Sequence, residues 1–184
     1  IGVGSNEEIE NHTKAGKIAV ETIVYAKSFI KPGMLLIEIA EKIEEKIIQL
    51  GGKPAFPVNL SINEVAAHST PLPDSKDTAH GLLKVDLGVH IEGYVADTAF
   101  SLDMDNSEEN KKLIKAAENA LREACKIVNS KVKIRDIGAV IEKEIKSHNL
   151  QPIQNLSGHS IEQYELHAGI SVPNYANAQE RMLG

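Results

Sequence analysis

Two segments of alternating apolar and polar residues, 82–90 and 94–102, lie on either side of the turn HIEG at 90–93. Both segments are rich in Val, Ala, Leu and Phe, and their apolar and polar residues alternate as in a half-buried β-strand. Two such segments joined by a short turn that contains glycine predict an antiparallel β-hairpin. The register of this hairpin decides which side chains face each other.

Two aspartates share one face of the predicted hairpin. Pairing His90 with Gly93 across the turn puts Asp86 directly opposite Asp97, with their Cβ atoms about 4.5–5.5 Å apart. Like charges in that position need either a shared proton or a divalent cation, and carboxylate oxygens suit the cation well. The alternative is a solvated sheet face with two acids, although such a face would more often pair an acid with a base.

Helical periodicity surrounds the hairpin on both sides in sequence. Helices are predicted at about residues 7–30, 35–50, 108–129 and 136–147, and the tail from 150 to 173 returns to strand and loop. Ser5 with Glu8 forms a capping-box pattern at the first helix. Gly51 and Gly52 are a stop signal for the second.

The second and fourth helices share the pattern Ile-x-x-x-Ile-Glu-x-x-Ile, centred on Ile43 and Ile141, an offset of 98 residues. Pro54 and Pro152 keep the same offset. An amphipathic helix can show this pattern by chance, but the common proline and the matching order of elements favour an internal repeat.

This interpretation predicts one partial domain over residues 1–184, with a first repeat at about 7–103 and a second at about 107–184. The counterpart of the first hairpin would begin near residue 180. The second repeat is therefore expected to lack most of its hairpin, and the chain to be part of a larger protein.

Composition excludes some functions and compartments. Hydrophobic residues make up 42% of the 184 residues, enough for a core, and the net charge of −6 argues against a nucleic-acid surface as the main function. Cys125 is the only cysteine, so no intrachain disulfide is possible and a reducing, cytoplasmic setting is expected. No apolar run approaches the roughly 20 residues that span a bilayer, so no membrane partner is predicted.

Three of the seven histidines stand in suggestive contexts: His68 in EVAAHSTP, His159 in NLSGHSIEQY and His167 in YELHAGISVPN. His159 and His167 could face one side only if the segment between them were extended. His12 and His148 are predicted to be surface residues. Imidazole and carboxylate together suit Mn, Fe, Co or Zn, but each histidine alone is more often structural or solvated.

The segments FPVNLSINEVAAHSTP, KVDLGVHIEGYVADTAF and NLSGHSIEQYELHAG, in this order and spacing, closely resemble the type 2 methionine aminopeptidases, especially the archaeal ones. The resemblance extends from the first helices to Pro173. It implies an α+β pita-bread fold, in which pseudo-symmetric helix–helix–strand units surround a central antiparallel sheet and a dinuclear metal site.

The resemblance also implies roles for particular residues. Asp86, Asp97 and His159 correspond to metal ligands, and Asp97 is the one that bridges both metals. The two ions would be Co, Mn, Fe or Zn. Two further glutamate ligands are expected beyond residue 184, so this segment alone is expected to bind metal weakly and to have little activity.

Four residues correspond to the substrate-binding part of the family's site. His68 and His167 match the catalytic histidines near the substrate, and His167 is the one that contacts the scissile amide. Phe56 and Leu166 match positions that line the pocket for the methionine side chain. The implied reaction is hydrolytic removal of the initiator methionine from nascent proteins. The implied partners are a peptide or nascent chain, the ribosome, and the missing carboxy-terminal part of the same protein.

Three alternatives remain. A non-catalytic pita-bread homologue would bind the ribosome or protein partners, but the presence of Asp86, Asp97 and His159 weighs against it. A proline-specific peptidase of the same fold would share these ligands and differ around His68 and in HAGISVPN. The third is a half-fold that acts as an interaction module or as one half of a split enzyme.

Overall fold

The structure, a computed structural model, describes residues 5–183 and divides them into two compact units. The amino-terminal unit comprises residues 5–107 and 162–166, and the carboxy-terminal unit comprises residues 108–161 and 167–183. Within the described residues, the helices are α1 (Asn6–Phe29), α2 (Leu36–Gln49), α3 (Glu108–Ile127) and α4 (Ile134–Ser147). The strands are β1 (Lys53–Pro54), β2 (Asn59–Ile62), β3 (Leu82–Ile91), β4 (Tyr94–Asp103), β5 (Ser157–His159) and β6 (Ser171–Pro173). None of the helices in this part of the chain has the length and apolar character needed to cross a membrane.

The predicted start of α1 and end of α2 are confirmed. The Ser5 hydroxyl accepts a hydrogen bond from the Glu8 N–H, and the Glu8 carboxylate accepts one from the Ser5 N–H, which completes the capping box. After α2, Gly51 adopts φ +87° and the Gly52 N–H donates to the Ile47 carbonyl at 3.1 Å. This is a Schellman motif, and it ends the helix where the paired glycines predict.

Strand β3 organises the sheet of the amino-terminal unit. β4 pairs with it along its whole length, and β1 and β2 pair antiparallel with different parts of it. Since β4 occupies one edge of β3, β1 and β2 lie end to end along the other. Asn59 of β2 is thereby the direct partner of Asp86.

The predicted hairpin register is wrong by two residues. Ile91 pairs with Tyr94, so Asp86 lies opposite Ala99 and not opposite Asp97. The turn consists of Glu92 and Gly93, both at positive φ (+49° and +86°), as in the tight turns that match the twist of a hairpin. The prediction failed because it placed the two-residue turn at 91–92, one residue too early, and this moves every cross-strand partner by two residues.

The core of the amino-terminal unit lies between β3 and the two helices. The fully buried side chains include Ile39, Ile43, Ile47, Leu83, Val85, Leu87 and Val89, all 0% exposed. Small buried residues of α1, such as Ala15 and Ala19, add to the same cluster. Each buried Leu or Ile stabilises the fold by roughly 1.5–3 kcal/mol. The buried face of β3 therefore holds the strand rigidly in place, and with it the side chains on the opposite face, such as Asp86.

In the carboxy-terminal unit, the buried alanines Ala116, Ala120 and Ala124 belong to α3, and α4 buries Ile134 and Ile137. α4 has 14 residues, as α2 has, and both of its limits are shifted by 98 residues from those of α2. The boundaries of the two proposed repeats stay a prediction.

Candidate metal and substrate site

The two aspartates lie on one face of the β3–β4 hairpin, here called the acidic face. Asp97 pairs with Gly88, which is two residues along β3 from Asp86, so the two acids are diagonal neighbours. Diagonal neighbours have Cα atoms about 7–8 Å apart, further than a directly opposed pair. Asp86 is half-buried and Asp97 is exposed. The predicted sharing of a face therefore holds, although the direct opposition does not.

Phe56 lies over the acidic face at Gly88. A Cβ atom built on Gly88 would come within 2.3 Å of Phe56 Cε1 and 2.9 Å of the Ala55 Cβ. The Ala55 N–H donates to the Gly88 carbonyl at 2.9 Å, which ties this segment to β3. Asp97 is the direct strand partner of Gly88. Because Gly88 has no side chain, the ring of Phe56 can lie at this position, beside Asp97.

His68 is exposed on the loop that follows β2, at φ +60°. The base of this loop is closed by the Leu60 N–H, which donates to the Ser69 carbonyl at 2.7 Å. The Thr70 hydroxyl donates to Asn59 Oδ1 at 2.6 Å. These two bonds fix the chain on the carboxy-terminal side of His68 to the strand that neighbours Asp86.

Lys84 precedes Asp86 by two residues on β3, and because side chains alternate along a strand, the two lie on the same face. Its ammonium donates to the Asn63 carbonyl at 2.6 Å and so holds the start of the loop that carries His68. Partial burial lowers the Lys84 pKa from its ordinary value, and the nearby Glu64 carboxylate opposes that shift. No sequence pattern marks Lys84, because its contact with Asn63 joins residues 21 positions apart.

Residues 162–166 belong to the amino-terminal unit and pack on the β3–β4 turn. The Tyr164 N–H donates to the Gly93 carbonyl at 2.9 Å, and the Gln163 amide donates to the Glu92 carbonyl at 2.9 Å. The Tyr164 ring occupies the space beside Gly93 and lies edge-on to His90, with ring centroids 6.0 Å apart. Leu166, at the end of this segment, is half-buried.

His159 and His167 contact each other in the carboxy-terminal unit, with ring centroids 4.3 Å apart. The expectation that this needs an extended connection is wrong. Ser160 closes the loop instead: its N–H donates to the Ile170 carbonyl at 2.9 Å, and its carbonyl accepts from the Ala168 N–H at 2.9 Å. His159 is half-buried on β5 and His167 is exposed.

Two histidines expected at the surface are half-buried. His12 Nδ1 lies 3.0 Å from the Val95 carbonyl oxygen, and His148 Nε2 lies 3.3 Å from Glu144 Oε1. His12 lies within α1 and His148 directly follows α4, and each also contacts a residue far away in sequence, Val95 and Asn119 respectively, which the sequence does not reveal.

The predicted ligands fall into two sets, with Asp86 and Asp97 in one unit and His159 in the other. Among residues 5–183, no group of three or more His, Cys, Asp or Glu side chains is placed to hold a metal ion. The donor chemistry nevertheless fits a divalent metal, because carboxylate and imidazole are ligands of Mn, Fe, Co and Zn.

Comparison with known proteins confirms the resemblance carried by the three motifs. Residues 10–183 match the model of metallopeptidase family M24. The chain is 48% identical over 169 residues to a methionine aminopeptidase of Pyrococcus abyssi, a match that covers 91% of this chain and 57% of that protein. It is 42% identical over 179 residues to a methionine aminopeptidase of Methanothermus fervidus, a match that covers 90% of this chain and 95% of that one.

Among solved structures, a methionine aminopeptidase from Thermotoga maritima superposes with a TM-score of 0.90 at 26% identity, covering 100% of this chain and 77% of that chain. This likeness confirms the predicted pita-bread arrangement of helices and antiparallel strands. The chain spans a little over half, 57%, of the length of the Pyrococcus abyssi relative.

Proposed function

This chain belongs to metallopeptidase family M24, and we propose that it supplies much of the active site of an enzyme that removes the amino-terminal methionine from newly made proteins. Divalent metal ions are the cofactors of this family. The activity is proposed for the whole protein, because the chain covers 57% of the length of its Pyrococcus abyssi relative. The observation that supports it most directly is the pair of acids on one face of a rigid hairpin, beside an aromatic ring.

Asp86, Asp97 and His159 are the proposed protein ligands, and they would hold two divalent ions of Mn, Co, Fe or Zn. The diagonal spacing of the aspartates favours a cation over a shared proton. A short charged hydrogen bond would need two oxygens about 2.5–2.7 Å apart, whereas oxygens bound to one metal can lie further from each other. When bound, the ions supply Lewis acidity and an activated water for hydrolysis of the first peptide bond. The two remaining ligands are proposed to be glutamates beyond residue 184.

The chain's own side chains bind and orient the substrate. Phe56 and Leu166 provide apolar surface for an unbranched side chain such as methionine. His167 donates an N–H to the oxygen of the scissile amide, where negative charge develops during attack. His68, on its anchored loop, moves a proton at the same amide.

The proposed substrate is a peptide or nascent chain with an amino-terminal methionine, and the proposed partner is the carboxy-terminal part of the same protein. Binding to the ribosome and a cytoplasmic location stay predictions. The non-catalytic alternative is disfavoured because all three ligand candidates are present, and the curated relatives bear the name methionine aminopeptidase, not that of a proline-specific peptidase.

The test uses the full-length protein, whose intact mass is measured first and compared with the 20.0 kDa of these residues. The metal-free protein is then assayed for methionine release from a Met-Ala peptide after addition of Mn, Co, Fe or Zn ions. A proline-containing dipeptide serves as the competing substrate. Metal-dependent methionine release is expected, and faster cleavage of the proline substrate or no release with any of the four ions would contradict the proposal.

A further inference from the structure

Asn59 is the strand partner of Asp86 on the side of β3 away from β4. Directly paired residues have Cβ atoms about 4.5–5.5 Å apart and point to the same face. The side chain nearest to Asp86 across that ladder is therefore a carboxamide, half-buried at the edge of the acidic face.

The orientation of the Asn59 carboxamide is fixed by Thr70, on the loop that follows β2. The Thr70 hydroxyl donates to Asn59 Oδ1 at 2.6 Å, a short hydrogen bond. Thr70 is itself held in place, because the Leu60 N–H donates to the carbonyl of the preceding residue, Ser69, at 2.7 Å. With its oxygen engaged by Thr70, the amide of Asn59 directs its two N–H donors away from the hydroxyl.

An ionised carboxylate can only accept hydrogen bonds, and the carboxamide NH₂ can only donate them, so Asn59 and Asp86 are complementary neighbours. Ligands of metal ions depend on such outer partners, which orient the ligand atom. We propose that Thr70 and Asn59 are positioning residues for Asp86: Thr70 fixes the amide of Asn59, whose NH₂ group donates to the Asp86 carboxylate and leaves the carboxylate correctly turned toward the metal. This inference rests on the proposed function, in which Asp86 is a metal ligand.

The same bond ties a second part of the site to the first. Thr70 follows His68 by two residues, so the Thr70–Asn59 contact joins the loop of a proposed catalytic histidine to the strand beside a proposed metal ligand. The backbone hydrogen bond from Leu60 to Ser69 is enough to close the loop that carries His68. The additional bond from the Thr70 hydroxyl fixes the orientation of the Asn59 carboxamide.

The experiment measures Mn²⁺ binding to the metal-free, full-length protein by isothermal titration calorimetry. Thr70→Val keeps the shape of the side chain and removes the hydroxyl, and Asn59→Ala removes the amide. Each is expected to weaken Mn²⁺ affinity by about 10–100-fold, the usual effect of losing an outer partner. Thr70→Ser restores the hydroxyl and is expected to bind as the parent does. Thr70 acts on Asp86 only through Asn59, so the two substitutions disrupt the same series of contacts. The Mn²⁺ affinity of the double variant is therefore expected to equal that of Asn59→Ala alone.

Thermal unfolding of the metal-free variants checks that they fold, and Thr70 is exposed, so little loss is expected there. Parent-like Mn²⁺ affinity in both Thr70→Val and Asn59→Ala would overturn the positioning role, as would equal weakening by Thr70→Ser and Thr70→Val.

Asp97→Ala separates the two proposals. If it weakens Mn²⁺ binding while the Thr70 and Asn59 variants do not, only the positioning role fails. If it too leaves Mn²⁺ binding unchanged, the proposed metal site itself fails.

Discussion

Asp97 pairs across the β3–β4 ladder with Gly88, and the ring of Phe56 occupies the space that a side chain at Gly88 would take. An exposed acid and an apolar wall are thereby adjacent on one rigid hairpin. This arrangement is consistent with the proposed site, in which Asp97 holds a metal ion and Phe56 contacts the apolar side chain of the substrate.

Gly88→Ala is expected to displace the Phe56 ring, because the new methyl group would lie 2.3 Å from Phe56 Cε1. Overpacking of this kind costs about 1–3 kcal/mol of unfolding free energy, measurable by urea titration. In the full-length enzyme the KM for methionyl peptides should rise. Gly16→Ala is the matched control, since nothing lies within 4 Å of its added Cβ in the middle of α1. That change should raise stability, by up to about 1 kcal/mol. Equal effects of the two substitutions would contradict the packing role of Phe56.

Asp97→Ala is expected to abolish metal-dependent methionine release by the full-length protein without unfolding it. The side chain is exposed, so its removal leaves no cavity. Activity assays and thermal melts should be run together, with the exposed loop substitution Asp74→Ala as the control. Normal methionine release by Asp97→Ala would remove Asp97 from the ligand set.

Gly93→Ala is expected to release residues 162–166 from the hairpin turn. Its methyl group would lie 2.5 Å from Tyr164 Cδ2, and φ at this position is +86°. Hydrogen–deuterium exchange at the Tyr164 amide, which donates to the Gly93 carbonyl, should become faster. Tyr164→Phe keeps the ring and serves as the control with parent-like protection. Unchanged exchange in Gly93→Ala would show that the turn does not hold this segment.

Ser5→Ala should destabilise α1 by about 1 kcal/mol, because the Glu8 N–H loses its side-chain acceptor. Ser28→Ala removes a hydroxyl at the other end of the same helix, where it only donates to the Tyr25 carbonyl. That control should change the free energy of unfolding by less than about 0.5 kcal/mol. Urea denaturation measures both, and equal values would argue against the capping box.

Acidification should weaken the anchoring of residue 176 to α4. The pKa of Glu142 lies below its ordinary value, first because the Lys146 side chain donates to it and then because the Ala176 N–H does. A carboxyl with a lowered folded-state pKa contributes stability that is complete above the ordinary value, about 4.3, and is lost as the pH falls through the lowered one. The difference in melting temperature between the parent and Glu142→Gln should therefore shrink between neutral and acidic pH. A constant difference would show that the charge of Glu142 is not involved.

Local chemistry explains what could be predicted from the sequence. Ser5 with Glu8, and Gly51 with Gly52, act on neighbouring backbone groups, so the helix ends followed from short patterns. The hairpin also followed from alternation, but its register depended on whether Glu92 and Gly93 alone form the turn. A two-residue turn ending in glycine was the available signal, and it was missed.

The rest of the candidate site depends on contacts between residues far apart in sequence. Nothing near Tyr164 in the sequence indicates that it packs on Gly93, and nothing near Thr70 indicates that its hydroxyl bonds to Asn59. The contact of His159 with His167 arises from backbone bonds at Ser160, which have no sequence pattern. Such contacts are set by tertiary packing and become visible only in the folded chain.

The core cluster of the amino-terminal unit draws all its residues from the stretch between Ala15 and Met104. During synthesis at about 5–20 residues per second, that stretch is complete several seconds before residues 162–166 are made. The hairpin and its two helices can therefore collapse on the nascent chain first, and Tyr164 then docks on a turn that is already formed. Release of the segment 162–166 by a mutation would leave an intermediate of normal biosynthesis, with its core intact.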